Sequence, residues 1–274
     1  MDTAGESKGG ELNRWTIGAI AVIAYCLANI LHEAVGHGGA CLLVGATPKA
    51  LNAIYFEWDG KSVPQLSRRI IAAGGGFINL LTGILALAAL RSGRTRATSA
   101  RYFLWLFSAV SLLMAFGYLL FSGVLGIGDW IAVFGGLAPR PVVRVGLAAV
   151  GAILYFWVAP KWILPPFREF LAPSRAPEPQ IRRLIRFPYV VGGTTFLVAG
   201  LLNPHGLKFV LISAAAAAFG GTSLLAWCKI PPLEASSAKP GGIGLVLKAQ
   251  AGWISGGILM LIVFIGVLGP GIAF

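Results

Sequence analysis

Three histidines and ten acidic residues occur in this chain of 274, and the ones that could do chemistry stand inside or at the ends of apolar runs. His32, Glu33 and His37 belong to the string His32-Glu33-Ala34-Val35-Gly36-His37. Asp129 closes an apolar stretch in Gly126-Ile127-Gly128-Asp129-Trp130, and His205 lies in Asn203-Pro204-His205-Gly206. Ionisable groups at membrane depth are costly and are usually retained for function. Imidazole and carboxylate are zinc ligands, and a catalytic zinc site takes three protein ligands while leaving a position for water. A neighbouring glutamate can take the proton of that water, as in HExxH helices. Iron accepts the same donors, so the residue types do not name the metal.

The spacing is irregular. On a regular α-helix, positions i and i+4 lie about 40° apart, whereas i and i+5 lie about 140° apart. His32 and His37 are i and i+5, so they cannot share one ion on an undistorted helix. A one-residue π-bulge would absorb the extra residue, and Gly36 makes such a distortion cheaper. Alternatively, Glu33 and His37, truly i and i+4, are the ligand pair, with His32 behind them. Blander readings exist for the isolated groups: His205 beside Pro204 as a hydrogen-bonded packing residue, and Asp129 as a helix cap.

The elements that must position these residues are membrane spans. The chain is 57% hydrophobic and 12% charged, with a mean hydropathy of +0.79, against about 25% charged in an ordinary soluble domain. The net charge of +12 sits between long apolar runs rather than on one polar face. That pattern fits loops touching anionic lipid headgroups, so membrane lipids are the expected partners and nucleic acid is not. Three cysteines, Cys26, Cys41 and Cys228, form neither a disulfide framework nor a CxxC pattern. The expected fold is an all-α polytopic membrane protein with about six to seven transmembrane helices and a small β-hairpin after the first. Spans are expected near 15–35, 70–90, 102–124, 142–163, 188–203, 207–227 and 251–274. Residues 1–14 read as a short disordered cytoplasmic tail, and 15–274 as a single transmembrane domain. With the N-terminus cytoplasmic, Lys and Arg divide 15 inside to 7 outside, the bias expected of a bacterial inner-membrane protein. In that topology the first, third and fifth spans carry His32, Glu33 and His37, then Asp129, then His205, to one membrane level. Between the first two spans, the run Ala53 to Trp58, followed by Asp59-Gly60 and Lys61 to Val63, reads as a hairpin. It would serve as an edge strand for an extended peptide, or as a surface hairpin anchored by Tyr55 and Trp58.

These motifs together resemble the site-2 protease family of intramembrane zinc metalloproteases. HEAVGHGGACLLVG looks like the family's HExxH helix, AAGGGFINLLTGILAL (72–87) like its glycine-rich motif with an asparagine, here Asn79, and GIGDW falls near its LDG aspartate. The hairpin also matches, so the likeness covers roughly 15–135. It implies His32, His37 and Asp129 as zinc ligands and Glu33 as the general base that activates a zinc-bound water. The departures are the extra residue between the histidines, Gly76 where the family has a proline, and GDW for LDG. His205 has no family counterpart and is a candidate further ligand. The expected activity is hydrolysis of a peptide bond within or beside the bilayer, Asn79 orienting substrate or stabilising the oxyanion. Two alternatives stand beside it: a metal-dependent enzyme acting on a lipid or other apolar small molecule, and a non-catalytic transporter or scaffold using Glu33 and Asp129 as a relay. The lack of an inverted repeat weighs against a transporter.

Overall fold

Asn13 starts the first helix by accepting hydrogen bonds from the backbone N–H groups of Trp15 and Thr16 at 3.1 and 3.0 Å, which satisfies donors left open at a helix start. From there the chain runs unbroken as α1, Arg14–Leu43. It continues through β1 (Pro48–Asn52), β2 (Tyr55–Trp58), α2 (Gln65–Arg91), α3 (Thr98–Leu125) and the short α4 (Asp129–Phe134). Next come α5 (Arg140–Arg168), α6 (Glu178–Leu201), α7 (Val210–Gly220), α8 (Leu224–Trp227), α9 (Ala251–Val267) and β3 (Ile272–Ala273). The computed structural model describes residues 12–60, 63–171, 177–203, 206, 210–227 and 245–274. His205, Cys228, the 61–62 part of the expected hairpin and residues 1–11 of the expected tail lie outside them.

Among the described residues, five helices, α1, α2, α3, α5 and α6, are long and apolar enough to cross a membrane; α9 is a shorter apolar helix. α3 is the core of the bundle, packed against α2 and α5 and touching α1, with Tyr102, Leu106, Leu112 and Leu113 fully buried. Several of its buried polar groups bond across helix boundaries. Tyr102 donates to the Leu184 carbonyl, Trp105 Nε1 to Ile163 and Ser108 to Gly83, as is needed where no water reaches. The outward faces are apolar instead. Leu66, Phe77 and Leu85 on α2, Val145 and Trp157 on α5, and Leu259 and Ile262 on α9 are all exposed. Apolar cover of that extent marks a surface built for something other than bulk water.

The structure departs from the sequence expectations in four places. The expected last span, 251–274, is helical only to Val267, because Gly269-Pro270-Gly271 turns the chain, Gly271 taking φ +95°. The chain then forms β3, which pairs antiparallel with β1. The expected 207–227 span is, over its described residues, the 11-residue α7 followed by a turn at 221–223 and then α8. The hairpin is one loop earlier than the Asp-Gly signal suggested: β1 and β2 pair directly, with Ala53-Ile54 as the turn, and Asp59 follows the second strand. Three asparagines decide this. The Asn52 side chain accepts from Ile54 N–H at 3.1 Å, Asn203 donates to Asn52 Oδ1 at 2.9 Å, and Asn29 donates to the Ala53 carbonyl. The tip of the hairpin is therefore pinned inside the bundle. Of the expected disordered tail, Leu12 and Asn13 are ordered, Asn13 N–H donating to the Leu247 carbonyl at 2.7 Å.

Candidate metal centre

α1 changes winding where the chemistry lies. From Leu31 to Gly38 it is a π-helix, and Gly39 N–H reaches back to the Ala34 carbonyl five residues earlier. The i→i+5 bonding of a π-helix widens the turn and brings the fifth residue back beside the first, so His32 and His37 converge. Their Nε2 atoms are 3.2 Å apart, with the rings edge-on at 81°. Gly36 is required here for a steric reason: a Cβ on it would lie 2.6 Å from Gly75 Cα on α2.

Asp129 completes the set. Its Oδ2 lies 3.2 Å from His37 Nε2 and 3.7 Å from His32 Nε2. A tetrahedral zinc ion with bonds of about 2.0–2.1 Å holds its ligand atoms about 3.3–3.4 Å apart. The observed edges of 3.2, 3.2 and 3.7 Å fit that size, and the two-nitrogen, one-oxygen donor set fits the chemistry. His32, His37 and Asp129 could therefore hold a metal ion. Both histidines are nearly covered, at 9% and 10% side-chain exposure, whereas Asp129 keeps 25% open. Burial alone would raise the Asp129 carboxyl, yet the neighbouring His37 and His32 imidazoles hold it well below the usual carboxylate range.

The supports of each ligand come from different elements. His37 Nδ1 donates to the Ile71 carbonyl on α2 at 2.7 Å, which turns its Nε2 toward the other ligands. His32 Nδ1 faces the Asn79 side-chain amide at 3.1 Å. Asp129 N–H donates to the Tyr118 hydroxyl at 3.3 Å, and the C-terminal end of α4 is held by Arg69, which donates to the Gly135 carbonyl at 2.8 Å. The three glycines of the run 74–76 have separate duties. Gly74 packs on Gly36, Gly75 lies against both imidazoles, and Gly76 receives the Trp130 ring, where a Cβ would stand 2.8 Å from Cζ2.

A cavity of about 600 Å³ reaches this centre. Glu33 lines it without entering the ligand triangle. The alternative of a Glu33–His37 ligand pair is therefore not the arrangement found. Tyr55, Phe56, Trp58 and Arg68 line the side formed by the sheet and the start of α2, while Met114, Phe121 and Ile127 make an apolar wall. Asn79 lines the cavity too, but its amide is at His32. Tyr118 and Ile71 were not foreseen in the sequence. Tyr118 is one aromatic among many, and a backbone carbonyl leaves no residue-type signal at all. No protein-family model matches the chain, and no curated protein or solved structure is detectably similar to it. What fold and site define together is a predominantly helical protein, with five helices among the described residues long and apolar enough to cross a membrane, and a His-His-Asp cluster that could hold a metal ion.

Proposed function

We propose that this protein is a membrane-embedded, zinc-dependent hydrolase that cleaves a peptide bond within or beside the bilayer. The reading is carried by one observation: two histidines and an aspartate at tetrahedral ligand spacing share a buried cavity with a glutamate that is not a ligand. Zinc held by His32, His37 and Asp129 would supply a Lewis acid and lower the pKa of water at the site. Glu33 accepts the proton of the attacking water and returns it to the leaving amine.

Substrate recognition follows from the sheet. β3 covers one edge of β1, so in the order β2-β1-β3 the strand that lines the cavity, β2, is at the sheet edge. An extended peptide added to β2 would run past the ligands, and strand addition supplies affinity through the backbone with little demand on sequence. The apolar wall suits side chains drawn from a membrane segment. In the proposed topology the N-terminus is cytoplasmic, in a bacterial inner membrane, and the ligands sit toward the outer side among membrane lipids.

The test uses the full chain in detergent or liposomes: zinc content, then cleavage of transmembrane-peptide substrates with and without a chelator. Stoichiometric zinc and chelator-sensitive peptide products are expected. Zinc with products only from lipids would replace the peptide reading by hydrolysis of an apolar small molecule. No bound metal would leave the transporter or scaffold.

A further inference from the structure

We propose that Asn79 is a positioning residue that holds His32 in the tautomer whose Nε2 is free to bind a metal ion. The inference rests on the metal-binding part of the function above, though not on what is hydrolysed.

Two observations carry it. Asn79 is fully buried, with its Nδ2 placed 3.1 Å from His32 Nδ1. Its Oδ1, equally buried, has no hydrogen-bond partner among the described residues. The oxygen and nitrogen of a carboxamide are distinguished by their hydrogen bonds rather than by shape. With Nδ2 donating, His32 carries its proton on Nε2 and points it at His37 Nε2, 3.2 Å away. In the metal-free protein that N–H faces both His37 Nε2 and Asp129 Oδ2, the latter 3.7 Å from His32 Nε2. It also blocks the ligand position on His32.

Exchanging the two amide atoms reverses the assignment. Oδ1 then accepts from His32 Nδ1–H, and His32 Nε2 becomes a lone pair directed with the other two donors. His37 needs no such help, since a backbone carbonyl can only accept and its tautomer is fixed in advance. His32 is the ligand whose tautomer is open, and the carboxamide beside it can either donate or accept. Metal-ligating histidines characteristically give their second N–H to an acceptor, and losing that acceptor typically costs 10–100-fold in metal affinity. The oxyanion role first expected for Asn79 does not explain why its amide lies against the far nitrogen of a ligand.

The experiment measures zinc affinity by chelator competition, with no activity readout, for the wild type, Asn79→Leu and Asn79→Asp. It adds ¹⁵N NMR of the His32 ring in the zinc-loaded protein. Asn79→Leu should lose about 10–100-fold, while Asn79→Asp, which can only accept, should match or exceed the wild type. The loaded His32 should carry its proton on Nδ1. Unchanged affinity in folded Asn79→Leu, equal loss in Asn79→Leu and Asn79→Asp, or a loaded His32 protonated on Nε2 would each overturn the inference alone. If Asn79→Leu does not fold, Asn79→Asp and the ring spectrum still decide. A wild type that takes up no zinc would overturn the metal reading and this one with it.

Discussion

Replacing Gly75 by alanine adds one methyl group at the most demanding point of the structure. The new Cβ would lie 2.6 Å from His37 Nε2 and 2.6 Å from His32 Cε1, and closer still to His32 Nε2. Ordinary carbon contacts are about 3.5–4.0 Å, so about 1 Å of overlap must be relieved by moving both imidazoles. The methyl would also occupy space beside the two nitrogen atoms an ion must approach to about 2.0–2.1 Å. Perturbing a group behind a ligand costs 10–100-fold in metal affinity. A plug at the ligands themselves should cost more than about 100-fold, or roughly 2.7 kcal/mol. Helix propensity works the other way, alanine being favoured over glycine by about 1 kcal/mol, so secondary structure should not suffer. Gly39→Ala is the control, since a Cβ there meets nothing within 4 Å. The assay is zinc competition on the purified full chain, with circular dichroism and thermal unfolding of the metal-free form. Zinc affinity of Gly75→Ala within about threefold of the wild type, in a folded protein, would refute the steric argument.

Three further outcomes are expected. Glu33→Gln should keep its zinc and lose about 10²-fold or more in turnover, whereas His37→Ala should lose the metal itself; metal analysis beside a cleavage assay separates the two. Tyr118→Phe removes the hydroxyl that receives Asp129 N–H, and should lower stability by about 1 kcal/mol and zinc affinity by about tenfold, read by thermal unfolding and chelator competition. Single cysteines placed in the 91–101 connection should be shielded from an impermeant reagent in whole cells, and labelling there would reverse the proposed orientation.

Much of the centre was legible in local sequence. The i, i+5 spacing of His32 and His37 demanded a departure from α winding, and the π-helix Leu31–Gly38 is that departure. The glycine-rich run was visible as a unit, but the separate partners of Gly74, Gly75 and Gly76 were not, because each is set by a different neighbouring element. The hairpin shows the same limit. Asp59-Gly60 has the stronger intrinsic turn preference, yet Ala53-Ile54 makes the turn, since Asn29 and Asn203, remote in the chain, bond to it.

Composition and periodicity alone pointed to apolar helices of spanning length and to a first helix distorted near Gly36. These depend on residues within a turn or two of one another, where backbone geometry dictates what faces what. Only tertiary structure decided that Asp129 closes the triangle, that the Ile71 carbonyl and the Asn79 amide stand behind the two histidines, and that β2 lines the cavity. Each of these requires separate helices to approach within a hydrogen-bond length. That distance is set by the close packing of Gly36 against Gly74 and Gly75, which no periodicity along a single segment encodes.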